Sequence, residues 1–139
     1  LAVLQLTGKD LRLALERCAS YFTLDSENNI SVSKEFLEPK VAHFNYDMYS
    51  GVEYDFDLKQ PVGSRVIKLS QNGKEIAEDD ILEVVMNQYR GVGGGDYSMF
   101  SADKIIREVT MDMTELISNY LEKHPVIEAK QPTNFNIFY

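Results

Sequence analysis

The run of apolar and polar positions divides this chain into a short series of elements. "LAVLQL" (Leu1–Leu6) is an apolar run of strand length, and Thr7-Gly8 breaks it. From Lys9 to Phe22 the apolar residues Leu11, Leu15, Cys18, Ala19 and Phe22 recur at helical spacing. Thr7 stands where an N-cap belongs, and Asp10 falls near the helix's positive end. "LDSENN" closes this unit as a turn cluster. Ile30 to Tyr49, of mixed polarity and with Phe36, Phe44, Tyr46 and Tyr49, predicts an irregular connection with short extended pieces.

The second half is more regular. In "GVEYDFDL" (Gly51–Leu58) Val52, Tyr54, Phe56 and Leu58 alternate with Glu53, Asp55 and Asp57, the pattern of a half-buried strand. "RVIKLSQNGKEI" places two short strands around Asn72-Gly73, a dipeptide that suits a tight hairpin because both positions accept positive φ. Ile81 to Tyr89 reads as a strand carried by Leu82, Val84 and Val85. A glycine-rich loop follows. Ser101 or Asp103 then caps an expected helix from about Lys104 to Lys123, with Ile105, Val109, Met113, Leu116, Ile117, Tyr120 and Leu121 as its buried stripe. Pro125 stops it, and "TNFNIFY" ends on a short aromatic strand. The order predicts an α+β fold, a layered mixed-sheet domain with two main helices sharing one core.

Composition adds limits. The 139 residues suit one domain, and 44% hydrophobic content is enough for a packed core. A net charge of -8 argues against broad binding to nucleic-acid phosphates or an anionic membrane surface. A small nucleotide held by a few local groups is still compatible with it. Apolar runs long enough to span a membrane are absent. The strand-like start at Leu1, with neither initiator Met nor signal peptide, reads as a cut inside a larger protein.

Most catalytic constellations are missing. The 2 histidines, His43 and His124, lack metal-ligand spacing, and the 1 cysteine, Cys18, sits inside a helical pattern as a small core residue. Asp79-Asp80 and the acids of "DFD" read as a wet face. Neither a nucleophile elbow nor a phosphate-binding P-loop occurs, since "GVGGGD" lacks the Lys-Ser/Thr. On its residues alone the chain has no catalytic residue.

The distinctive stretch is "NQYRGVGGGDYSMF", Asn87 to Phe100. Tyr89 precedes the glycines, where a ring can lie against a flat ligand. Gly93, Gly94 and Gly95 permit close approach to the main chain. Asp96 offers acceptors for ribose hydroxyls or ring N–H groups, and Arg90 can meet a phosphate or pair with a carboxylate. Such an arrangement suits a nucleobase, because stacking accepts any base. A glycine-rich turn beside a core tyrosine accounts for the same residues, so both readings stand at this level.

Four blocks taken in order resemble the C-terminal domain of the 5'-nucleotidase family: "LAVLQLTGKDLRLALE", "YDMYSGVEYDFDLKQPVGSRVIKL", "VVMNQYRGVGGGDYSMF" and "NFNIF". Tyrosines in place of phenylalanines make the chain most like the 2',3'-cyclic-nucleotide 2'-phosphodiesterase/3'-nucleotidase branch. The resemblance implies a base-binding domain over residues 1–139, truncated at its N-terminus, with Tyr89 as one stacking aromatic. Counting from Tyr89 without a gap puts Gly95 at the family's loop-aspartate position, with Asp96 one residue later. The family's second stacking aromatic and its substrate-binding arginines would precede Leu1.

The resemblance further implies a nucleotide or nucleoside substrate, and a partner N-terminal metallophosphoesterase domain of the same chain. Two divalent metal ions belong to that domain, where a metal-activated water attacks phosphorus, and no cofactor to this segment. The parent would be an extracellular, cell wall-anchored or periplasmic phosphoric ester hydrolase, and this fragment alone inactive. The alternatives are the same domain of a 5'-nucleotidase or UDP-sugar hydrolase, or an interaction module that has lost ligand binding.

Overall fold

A computed structural model describes residues 1–139. Strand β1 (Ala2–Thr7) is the centre of a three-stranded antiparallel sheet, flanked by β7 (Ile81–Met86) and β8 (Ile105–Glu108). Its apolar run is explained by that position, for Ala2, Val3, Leu4 and Leu6 are all buried. Helix α1 (Gly8–Ala19) follows directly. Thr7 caps it as the spacing predicts: its hydroxyl accepts from Asp10 N, and the Asp10 carboxylate accepts from Thr7 N.

Helix α1 buries Leu11, Ala14, Leu15, Cys18 and Ala19 and packs on β1 and on β5 (Val66–Gln71). Each fully buried leucine among these contributes about 1.5–3 kcal/mol. Phe22, expected as the last apolar position of this helix, instead opens β2 (Phe22–Leu24), which pairs with β3 (Ile30–Val32). Beyond β3 the chain is irregular to Gly51, with two single 3-10 turns, as its mixed polarity predicts.

A second sheet has the order β6 (Lys74–Glu75), β5, β4 (Glu53–Asp57), β9 (Phe135–Phe138). Strand β4 shows the expected alternation, with Val52, Tyr54, Phe56 and Leu58 buried. Asn72-Gly73, both at positive φ, turn β5 into β6. The closing strand β9 lies parallel to β4 and stacks Phe135 on Tyr54 at 5.3 Å between ring centroids. Glu16, buried on α1, accepts from the main-chain N–H groups of Arg65 and Val66 at 2.9 and 2.8 Å. The Arg65 guanidinium returns bonds to the carbonyls of Ala19 and Phe22. Helix and second sheet are therefore joined by satisfied buried charges as well as by apolar contact.

One expected element is different. The helix predicted from Lys104 to Lys123 is a strand and a shorter helix: β8, then α3 (Met113–Lys123), capped by Asp112 rather than by Ser101 or Asp103. The reason is tertiary. β1 has a free edge on that side, and Ile105–Glu108 satisfies its main-chain groups. Leu1 and Val109 continue the pairing, since Val109 N donates to Leu1 O at 2.8 Å. The predicted stripe is not buried on α3, where Leu116 is half-buried and the other residues are exposed. The architecture remains the α+β mixed-sheet domain expected, with α1 and α3 as its main helices and a one-turn helix between them.

Candidate functional site

Strand β7 ends at Met86, earlier than the pattern predicts. The Asn87 side chain then accepts from Arg90 N at 2.8 Å and starts a one-turn helix, α2 (Gln88–Gly91). Gly91 lets this turn lie close on β1: a Cβ there would sit 3.2 Å from Leu4 Cδ1. Tyr89 therefore stands on α2 and not at a strand end. It is 57% exposed, so the reading as a core tyrosine does not describe it. Tyr97 is the core tyrosine of the loop, fully buried, with its hydroxyl 3.2 Å from Cys18 Sγ and donating to Asn45 O.

The glycines are used by the protein's own atoms. A Cβ at Gly94 would lie 2.6 Å from Cε2 and Cζ of Tyr89, so only glycine leaves room for the phenol ring there. Gly93 and Gly95 have positive φ and reverse the chain toward Tyr97. The N–H groups of Gly93 and Gly94 are bonded to the carbonyls of Arg90 and Tyr89. Gly93, Gly94 and Gly95 thus hold Tyr89 on a fixed turn.

Arg90 takes the carboxylate option. It is buried and paired with Asp47, which stands 2.6 Å from Nε and accepts from Nη2 at 3.0 Å. Its Nη1 donates to Gly94 O, and the guanidinium lies 4.0 Å over the Tyr97 ring. Asp96 is at positive φ and exposed. Its carboxylate pairs with Arg17 on α1 at 3.3 Å, and Arg17 also meets Glu35 at 2.9 Å. The depression Asp96 lines is shared with Glu16, Ser20 and Glu35 and does not include Tyr89. The loop thus brings Tyr89 and Gly94 together and directs Asp96 to a different neighbour.

A cleft of about 630 Å³ opens beside Asn87, between β7 and the Tyr46–Val52 segment. Tyr46, Tyr49, Val84, Met86 and Asn87 are among its lining residues. Burial pushes the Tyr46 and Tyr49 phenols up, so both are neutral donors at physiological pH. Asn134 fixes this wall by donating to the carbonyls of Tyr49 and Val52 at 2.7 and 2.8 Å. In the sequence Tyr46, Asp47 and Tyr49 stood inside a family-like block and an irregular stretch, with no site role marked for any of them.

Residues 1–102 match the family model described as 5'-nucleotidase, C-terminal domain. The chain belongs to the 5'-nucleotidase family. A Staphylococcus aureus protein assigned as a 5'-nucleotidase, solved with alpha-ketoglutarate, superposes with a TM-score of 0.90 at 33% identity. That superposition covers 99% of this chain and 27% of the other. The Trifunctional nucleotide phosphoesterase protein YfkN of Bacillus subtilis is 27% identical over 97% of this chain and 10% of its own length. The 5'-nucleotidase precursor of Thermus thermophilus shares the fold, with a TM-score of 0.68 at 24% identity and 25% of its chain covered. This 5'-nucleotidase C-terminal domain therefore spans about a quarter of the solved relatives and a tenth of YfkN.

Proposed function

We propose that this chain is the substrate-recognition domain of a nucleotide phosphoesterase, and that Tyr89 stacks on the nucleobase. The observation that carries the reading is an exposed tyrosine ring seated on glycine main chain, on a turn locked by the buried Arg90–Asp47 pair. A ring so held has lost its freedom before the ligand arrives, which lowers the cost of stacking. Tyr89 lies outside the lining of the cleft beside Asn87; in this reading the stacked base reaches toward that cleft, where Asn87, its Oδ1 capping α2, has its amide N–H groups to offer. Gly93, Gly94 and Gly95 support the ring, and Asp96 approaches the ligand only by leaving Arg17.

In this reading the domain orients the phosphate toward a dimetal site in an N-terminal metallophosphoesterase domain of the same polypeptide, in a secreted or surface enzyme. The substrate is a 2',3'-cyclic nucleotide or 3'-nucleotide, in keeping with the tyrosine at position 89. No cluster of three or more His, Cys, Asp or Glu side chains converges in these residues, so nothing here fits a pair of metal ions. In this reading hydrolysis belongs to the whole enzyme.

The test is Tyr89→Ala in the full-length enzyme. A stacked base is worth about 1–3 kcal/mol, so KM should rise roughly 5- to 150-fold. An unchanged KM removes Tyr89 from the site. Titration of 3'-AMP followed by amide shifts should move Tyr89 to Tyr97 first. A parent that prefers 5'-nucleotides or UDP-sugars would keep the platform and change only the substrate. Silence at millimolar nucleotide would favour an interaction module.

A further inference from the structure

Helix α3 carries an apolar face that these residues do not cover. Met113, Ile117, Tyr120 and Leu121 fall at i, i+4, i+7 and i+8, the spacing of a buried stripe. They are 41%, 53%, 56% and 44% exposed. A helix of 11 residues without tertiary packing is marginal in water. The stripe is therefore the half of an interface, and its occupant must be apolar.

Two features point to the occupant. The amino nitrogen of Leu1 donates to Val109 O at 3.2 Å, and Val109 N donates to Leu1 O. Polypeptide leading into Leu1 therefore arrives beside the short link that runs from Val109 to the foot of α3. The relatives also have the chain to supply it, since this domain covers 27% of the Staphylococcus aureus protein and 10% of YfkN. An anionic lipid surface is a poor match: Glu115 and Glu122 flank the helix against a single Lys123, and basic residues are what such surfaces select.

We propose that, in the full-length protein, the polypeptide preceding residue 1 lays an apolar segment on the Met113–Ile117–Tyr120–Leu121 face. The inference rests on family membership and on the Leu1–Val109 pairing, and is independent of whether Tyr89 binds a base. The segment anchors α3, and through β8 it steadies the edge of the sheet that carries β7 and α2.

Hydrogen exchange tests it. In the full-length protein, amides of residues 113–123 should exchange at least about tenfold more slowly than in residues 1–139 alone. Ile117→Glu or Tyr120→Ser in the full-length protein should restore fast exchange there. Glu122→Gln, on the opposite side of the helix, should not. Equal exchange in the two proteins overturns the proposal. So does protection in residues 1–139 that grows with concentration alongside a dimer mass, which would make a second copy the occupant.

Discussion

Asp47 holds Arg90 along one edge of its guanidinium, its two oxygens standing 2.6 Å from Nε and 3.0 Å from Nη2. The arginine is 6% exposed and the aspartate 26%. Removing one partner of a fully buried pair costs about 3–5 kcal/mol, chiefly by stranding the other charge. Asp47 keeps some solvent, so Asp47→Ala should sit near or below the lower end of that range in urea denaturation. Asp47→Leu with Arg90→Met should recover much of the loss. If the double replacement is as unstable as the single one, the stranded charge is not the cause.

Tyr89 should separate stability from binding. Its ring is largely in solvent, and surface truncations cost about 0.5 kcal/mol or less. Tyr89→Ala should therefore leave the denaturation midpoint almost unmoved while weakening nucleotide binding. A large stability loss would show that the ring is a packing element.

Gly94→Ala adds a methyl 2.6 Å from the Tyr89 ring and carbonyl. Overpacking of this kind costs about 1–3 kcal/mol. The expected result is a stability loss in that range, with tyrosine ring resonances near residue 89 displaced in NMR spectra. Unchanged shifts and an unchanged midpoint would mean the loop yields freely.

Glu16→Gln should destabilise more than its conservative look suggests. Each carboxylate oxygen accepts a main-chain N–H, from Arg65 or from Val66. An amide offers one acceptor and one donor, so one buried N–H faces a donor. An unmet buried donor costs about 1–3 kcal/mol, read from thermal or urea unfolding.

Burial pushes the Cys18 thiol from its ordinary 9.0 to about 11, against a partly opposing bond from Tyr97. A group raised on folding contributes stability that is complete below the unfolded value and is lost as pH climbs to the folded one. Stability should therefore fall between about pH 9 and about 11, and fall less steeply in Cys18→Ala. Parallel pH profiles for the two proteins would show that Cys18 does not titrate in that window.

Legibility followed the range of the interactions. Thr7 and Asp10 are three residues apart, and the Asn72-Gly73 turn and the Val52–Leu58 alternation are local, so pattern alone found them. Ile105–Glu108 failed because a short apolar run serves helix and strand alike. The free edge of β1 decided it, from the other end of the chain. At the site, Tyr89 and the glycines could be singled out. The Arg90–Asp47 pair spans 43 residues with no periodicity to betray it. Tyr46 and Tyr49 lay in a stretch whose structure comes from its contacts.

The parallel pairing of β4 with β9 has a consequence for synthesis. Asp55 and Asn136, bonded across it, lie 81 residues apart. At about 5–20 residues per second, the ribosome takes roughly 4–16 s to deliver one after the other. During that interval β4 has an unpaired edge beside the apolar side chains of Tyr54 and Phe56, a surface that invites pairing with other chains. The second sheet therefore closes late, and chaperone occupancy on the nascent chain should end when β9 emerges.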